Sequence, residues 1–214
     1  MVKVKLLLIL ITFNLTTFGY NPEHVQKLKD AHLNGKVVCK NCDFSSPNPQ
    51  TDRLNMQGYI LPNCDLEGSN FEGSNFSGTQ FPGSNFSHAN LQQTIFSSSY
   101  LQNCNFSYAN ANGALFVNTR LNYSKFLNAI LANTNFTYAN LWYTNLTGAH
   151  FDQTSFNHSD LLHAILKDST GQILTDDRTS FCCTKMADGS IKSEENGLCG
   201  LIQLQTCGQD TLYY

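Results

Sequence analysis

The sequence predicts a solenoid, and three observations predict it. A Leu or Phe recurs every five residues from Leu66 to Leu166, with Ala111 the one exception. The residue two positions before each of these centres is always small, as at Ser69, Thr79, Ala89, Cys104 and Ala164. The residue directly before the centre is most often Asn, as at Asn70, Asn85, Asn110 and Asn140. A five-residue period fits neither the three- and four-residue spacing of an amphipathic helix nor the alternation of a strand. It fits a coil that buries its inner face against the turns before and after it. The large centre fills the axis and the small residue lets the backbone close around it. The other three positions, polar or Gly, face water.

Residues 1–19 read as an export signal. Lys3 and Lys5 make a positive start, Leu6 to Phe13 an apolar run, and Thr17-Phe18-Gly19 a small-residue cleavage site before Tyr20. The run is short for a membrane span, and no Cys follows it closely enough for a lipoprotein anchor. The expected location is the periplasm or the medium, with no membrane span in the mature chain.

Residues 20–55 form the expected N-terminal cap. Asn21 can cap a helix, Pro22 suits its first position, and Val25, Leu28 and Leu33 share one face; Gly35 would end it. Residues 37–46 read as a first strand. Their CDFSS matches the repeat unit, but Phe44 is out of phase with Leu66. The SSPNPQTD stretch that follows reads as a loop. The repeat itself is assigned to residues 56–168, since Met56 and Leu61 are already in phase.

After Asp168 the period is lost, and residues 169–214 read as a Cys-rich cap and tail. Ala187-Asp188-Gly189 is a turn signal that would join two short strands. A lid is physically needed, because a last rung exposes both apolar centres and unpaired edges.

Units such as SNFEG, SNFSG, HANLQ, YANLW and HSDLL resemble the pentapeptide-repeat family, whose consensus is A(D/N)LXX. The resemblance covers about half the chain. It implies an all-β fold, a right-handed quadrilateral β-helix with four units to a coil, hence about five coils and a rod roughly 25 Å long. The opening Cys39-x-x-Cys42-Asp-Phe and the closing Phe181-Cys-x-Thr-x-Met-x-Asp-Gly189 resemble the caps of exported members. The twenty-residue coil implies a column of Phe71, Leu91, Ala111, Leu131 and Phe151. Against a Leu, Ala111 forgoes burial, and Phe106 and Phe116 are expected to lean into the space. Some members of the family bind type II topoisomerases as DNA mimics by presenting an acidic rod. That alternative is disfavoured here by a near-neutral rod and by the export signal.

The formal net charge is −3 and charged residues make up 14%. No basic patch is present to hold a phosphate backbone, so no nucleic-acid partner is expected. Within the rod, Asp65, Glu67, Glu72, Asp152, Asp160 and Asp168 stand against Arg120, Lys125 and Lys167. No nucleophile–base pair, paired catalytic carboxylates or phosphate-cradling loop stands out. The expected protein is not an enzyme and carries no cofactor.

Cys64 and Cys104 occupy the small inward position two rungs apart, about 10 Å from each other and too far to bond. They read as buried thiols. The other cysteines lie in the caps, where disulfides suit an exported protein. Cys39 with Cys42 is the N-terminal candidate, and Cys182 or Cys183 with Cys199 the C-terminal one. A shared zinc site is excluded because the two groups cap opposite ends. His158, Asp160 and His163 fall near one corner but read as exposed polar positions, so no metal site is expected. Seven Asn-x-Ser/Thr sequons in the chain after residue 19, among them Asn75, Asn122 and Asn145, read as by-products of the repeat.

Folded onto twenty-residue rungs, the chain has one aromatic wall. Around Leu101, Leu121, Leu141 and Leu161 it carries Tyr100, Tyr123, Trp142, Tyr143, Leu162 and His163 outward, with Tyr138 and His158 at the adjoining corner. The wall centred on Phe71 to Phe151 carries Gly, Gln and Asn at its corners. Aromatics gathered on one polar face suit contact with a protein, a second copy or a glycan. They equally suit rung-on-rung stacking that stiffens the corner.

Overall fold

The computed structural model of the chain describes residues 21–34, 39–42, 44 and 54–192. The export signal, the SSPNPQTD loop, Gly35 and Cys199 lie outside the described residues. The main body of the described residues is a four-walled solenoid. Parallel bridges join Asn55 to Asn75, Ile60 to Gln80, Asp65 to Asn85 and Asn70 to Asn90, and the same spacing of twenty continues to Ile165 and Lys185. Most of the rod has bridges and no longer strands, because a tight turn interrupts every wall.

Most units build that turn in the same way. The carbonyl of the centre accepts the N–H three residues on, as from Ser74 to Phe71 at 2.9 Å. The second residue after the centre has positive φ, which favours Gly or Asn. Pro62 and Pro82 stand one residue earlier, where proline is preset for such a turn. The Asn before the centre bonds locally, its Oδ1 accepting the N–H two residues on. Asn75 does so from Ser77 at 3.0 Å and Asn145 from Thr147 at 3.0 Å. This Asx-type bond explains the Asn preference, and with it five of the seven sequons, those at Asn75, Asn85, Asn105, Asn135 and Asn145.

The small inward residue does more than make room. Where it is Thr, and at several of the Ser positions, its hydroxyl donates to the carbonyl of a centre in the preceding rung: Thr94 to Phe71 at 3.0 Å, Thr119 to Phe96 at 2.9 Å, Thr134 to Ala111 at 2.8 Å. Cys104 fills the same role through Sγ, which lies 2.9 Å from the Phe81 carbonyl oxygen. These are second bonds, because the same carbonyls also accept the N–H three residues on, as at Phe71, Phe96 and Ala111.

The centres stack into columns. Phe76, Phe96, Phe116, Phe136 and Phe156 form one continuous ring stack, with centroids 5.1–5.3 Å apart. Ala111 is buried, but the rings beside it do not close up. Phe106 and Phe116 stand 5.8 Å apart, against 5.9 Å for Phe86 and Phe96 across Leu91. The backbone ladder fixes ring spacing whatever the residue between.

At the N-terminal end α1, Pro22–Asn34, begins as expected. Asn21 Oδ1 accepts the N–H groups of Glu23 and His24 at 3.0 and 3.4 Å. Val25 and Leu28 are buried in the same core as Phe44. Residues 39–42 and 44 lie along the rung that starts at Asp65, and among these described residues no regular strand forms. Cys39 N–H reaches Asp65 O, and Phe44 N–H reaches Asn70 O, both at 2.8 Å. Phe44 stacks on Phe71 with centroids 4.7 Å apart. Its register is twenty-seven residues, seven more than a regular rung, and this accounts for its being out of phase. Lys40 ties the edge to Asp65 at 3.2 Å and Glu67 at 2.6 Å.

At the other end the rungs outlast the repeat. Phe181 is buried, and Asp160 and Ile165 still bridge to Ser180 and Lys185. One irregularity intervenes. Strand β1, Thr154–Ser155, pairs in parallel with β2, Ile173–Leu174, at a spacing of nineteen. The missing residue is made up at the corner, where Asp176 Oδ1 accepts the N–H groups of His158 and Arg178 and the Thr179 hydroxyl, at 3.0–3.1 Å. The lid is a hairpin: β3, Thr184–Lys185, pairs antiparallel with β4, Ile191–Lys192. The turn is the one expected, with Gly189 N–H on Met186 O at 2.9 Å and Asp188 Oδ1 accepting from Ser190 N–H at 2.9 Å.

Candidate interaction wall

The wall is built on the column Tyr100, Arg120, Asn140 and Asp160, in which each residue bridges to the next. To one side of this column, at the positive-φ corner, stand Tyr123, Tyr143 and His163; to the other stand Tyr138 and His158. All five occupy a backbone region that costs a bulky residue about 1–2 kcal/mol. Their rings meet across the rungs. Tyr123 and Tyr143 stack at 5.1 Å, Tyr143 and His163 at 4.7 Å, and Tyr138 meets His158 at 4.7 Å, tilted. Such contacts contribute about 0.5–1.5 kcal/mol each beyond area burial, which is comparable with the backbone cost.

The expected surface residues fall into three groups. Tyr123, Tyr138, Trp142 and Tyr100 are exposed, Tyr123 and Tyr138 by more than half. Tyr143 and His163 are half-buried within their stack. Leu162 is not a surface residue: it is buried in a small cluster with Cys182, which the next rung places beneath it. The loss of repeat pattern after Asp168 conceals that covering rung.

Two features are not evident from the sequence. The Arg120 guanidinium lies over the Tyr100 ring, 4.7 Å from its centroid; the two are twenty residues apart, so the rung register is the available signal. The second is a ring stack at another corner, His88 on Tyr108 at 5.0 Å. Stacking is therefore a general use of this corner position and not confined to one wall.

Of the expected cap pairs Cys39–Cys42 is present, while Cys199 of the other lies outside the described residues. Cys39 and Cys42 are bonded to each other, with Cα atoms 5.5 Å apart. Cys182 and Cys183 are both disulfide-bonded. Cys64 and Cys104 are buried thiols. Burial pushes the Cys104 thiol up to about 12, so it remains neutral. Among the described residues no group of three or more His, Cys, Asp or Glu could hold a metal ion. No described helix is long and apolar enough to cross a membrane.

Comparison with known proteins agrees with the repeat. Residues 69–141 match the family model described as "Pentapeptide repeat region", and residues 134–170 the one described as "Pentapeptide repeats (8 copies)". No curated protein matches the chain. Among solved structures, the chain is similar to HetL of the cyanobacterium Nostoc sp. strain PCC 7120, a pentapeptide-repeat protein involved in heterocyst differentiation regulation. The identity is 17% over 78% of this chain and 99% of that one, with a TM-score of 0.36. It is also similar to QnrB1, a plasmid-mediated fluoroquinolone resistance protein, at 23% identity over 66% and 91% of the two chains, TM-score 0.40. A pentapeptide-repeat protein of the Arabidopsis thaliana thylakoid lumen matches at 26% identity over 58% and 85%, TM-score 0.26.

Proposed function

Because the repeat region of this chain belongs to the pentapeptide-repeat family, we propose that the protein is a non-enzymatic interaction module. Its rod would be a right-handed quadrilateral β-helix of about five coils, offering its aromatic wall to a protein partner. The observation that carries this reading is the exposure of Tyr100, Tyr123, Tyr138 and Trp142 around one column of the rod. Side chains held on a rigid ladder lose little freedom when they bind, which lowers the cost of association. The rings at the Tyr123 corner stack face to face, Tyr123 on Tyr143 and Tyr143 on His163, which covers the faces between them. That favours a protein over a sugar, which would need an open ring face.

Export is part of the proposal. Lys3, Lys5 and the apolar run Leu6 to Phe13 support it, and the bonded Cys39–Cys42 pair suits an oxidising compartment. A DNA-mimic role toward a type II topoisomerase has little support, since no wall is strongly acidic and the central column of the aromatic wall carries one cation and one anion.

The test is a pull-down with the mature chain from Tyr20, beside a variant with Tyr123, Trp142 and Tyr143 changed to Ser. The expected result is a partner retained by the native rod and lost from the variant, at equal thermal stability. Retention by both would move the function to the caps. Loss of stability in the variant would make the rings a staple of the fold.

A further inference from the structure

We infer that the aromatic wall pairs with the same wall of a second copy, antiparallel, about a two-fold axis through Asn140. The inference rests on the contact role proposed above and names the partner. The central column reads Arg120, Asn140, Asp160 on three consecutive rungs. Arg120 and Asp160 are therefore one rung to either side of Asn140. Among the described residues neither makes an ion pair. Arg120 rests on Tyr100, and Asp160 Oδ1 accepts the Leu162 N–H at 3.1 Å.

A two-fold axis lying in the contact plane can run along the rod or across it. Along the rod it sets Arg120 against Arg120 and Asp160 against Asp160, an arrangement that like-charge repulsion disfavours. Across the rod, through Asn140, it sets Arg120 of each copy against Asp160 of the other, twice per dimer. The same operation brings Tyr138 to Tyr138 and Trp142 to Trp142, as a self-complementary interface requires. No other wall has this property. The column Asn70, Asn90, Asn110, Ile130 carries no charge, nor does Asn75, Ile95, Leu115, Asn135; the fourth carries Lys125 and Lys185, with Asp65 already paired to Lys40.

Five rungs at about 4.8 Å, and a wall about 16 Å wide, bury roughly 800–1,000 Å² over both copies. That is the size of a weak, concentration-dependent contact. The tyrosine-held guanidinium is already oriented, which limits what ordering costs on pairing.

Charge reversal with sedimentation over about 1 to 1,000 µM, the range suited to so small an interface, tests this. Arg120→Glu and Asp160→Lys, each alone, should weaken self-association at least about tenfold. Mixed together, the two variants should recover it. In the mixed dimer the glutamate of one variant meets the lysine of the other, and the native Asp160 of the first meets the native Arg120 of the second. Unchanged far-ultraviolet dichroism and melting temperature would exclude misfolding. Recovery on mixing cannot come from a partner of other chemistry. A wild-type chain that stays monomeric throughout, or variants that do not rescue each other, would overturn the inference. If that monomer still captures a distinct protein through Trp142 and Tyr143, the contact role of the wall survives and only its occupant is wrong.

Discussion

Phe106 and Phe116 stand 5.8 Å apart across Ala111, as Phe126 and Phe136 do across Leu131. The rings are set by the hydrogen-bonded ladder and not by the residue between them. A Leu at 111 would join Leu91 and Leu131 in its own column. Ala111→Leu is therefore expected to stabilise the rod by about 1–2 kcal/mol, read as a raised denaturant midpoint with unchanged slope. A loss of stability would mean that the space is already filled.

Gly171 sits where the rung after Phe151 falls one residue short. Its φ is +88°, and a Cβ there would run into the Phe151 carbonyl. Gly171→Ala should disrupt the pairing of β1 with β2 and expose the last rung, seen as early loss of amide protection around Thr154. Gly78 provides the comparison, since it has φ +66° with open space around it. Gly78→Ala should cost only about 1 kcal/mol, the strain of the backbone region alone.

Tyr123 separates stability from binding. Changing it to Asn, which Asn103 shows is accepted one rung earlier at the same corner, relieves about 1–2 kcal/mol of backbone strain. It removes one stack worth about 0.5–1.5 kcal/mol. Stability should shift by less than about 1 kcal/mol, while association through the wall weakens. A loss of several kcal/mol in a urea titration would make the ring stack a structural staple.

Cys104 should leave a mark at alkaline pH. Burial raises its thiol from an ordinary value of 9.0 to about 12, so above pH 9 the unfolded chain gives up a proton that the folded one keeps. Stability is fully present below pH 9 and falls as pH rises toward 12. Tyr and Lys titrate in the same range, so the difference from Cys104→Ser is the measurement. Ser should flatten the loss and keep the bond to Phe81 O. Native Cys104 should resist alkylation at pH 8 and react once the chain unfolds.

Much of this architecture is legible in the residues themselves. The five-residue period marks the inward positions from Met56 to Leu166, and Asn21-Pro22 and Ala187-Asp188-Gly189 mark the helix start and the hairpin turn. Phe44 is recognisable as a centre but not placeable, because the length of an intervening loop erases phase. The rung beyond Asp168 is hidden because Gly171 and Asp176 stand where Leu or Phe would. With that rung unseen, Leu162 reads as surface although Cys182 covers it. The inner hydroxyl ladder is hidden for another reason: small residues satisfy a steric need, and nothing in their size reveals that Ser and Thr also answer a carbonyl below.

The four-unit coil makes the length of an insertion decide its outcome. Twenty added residues would lengthen the rod and return every downstream side chain to its former wall. Five added residues would fold equally well, yet they would advance everything beyond them by a quarter turn. Placed between Arg120 and Trp142, they would carry Trp142, Tyr143 and Asp160 away from the face that holds Arg120. Duplication within such a gene thus acts as a dial with four settings, able to scatter or reassemble a surface while the interior stays the same.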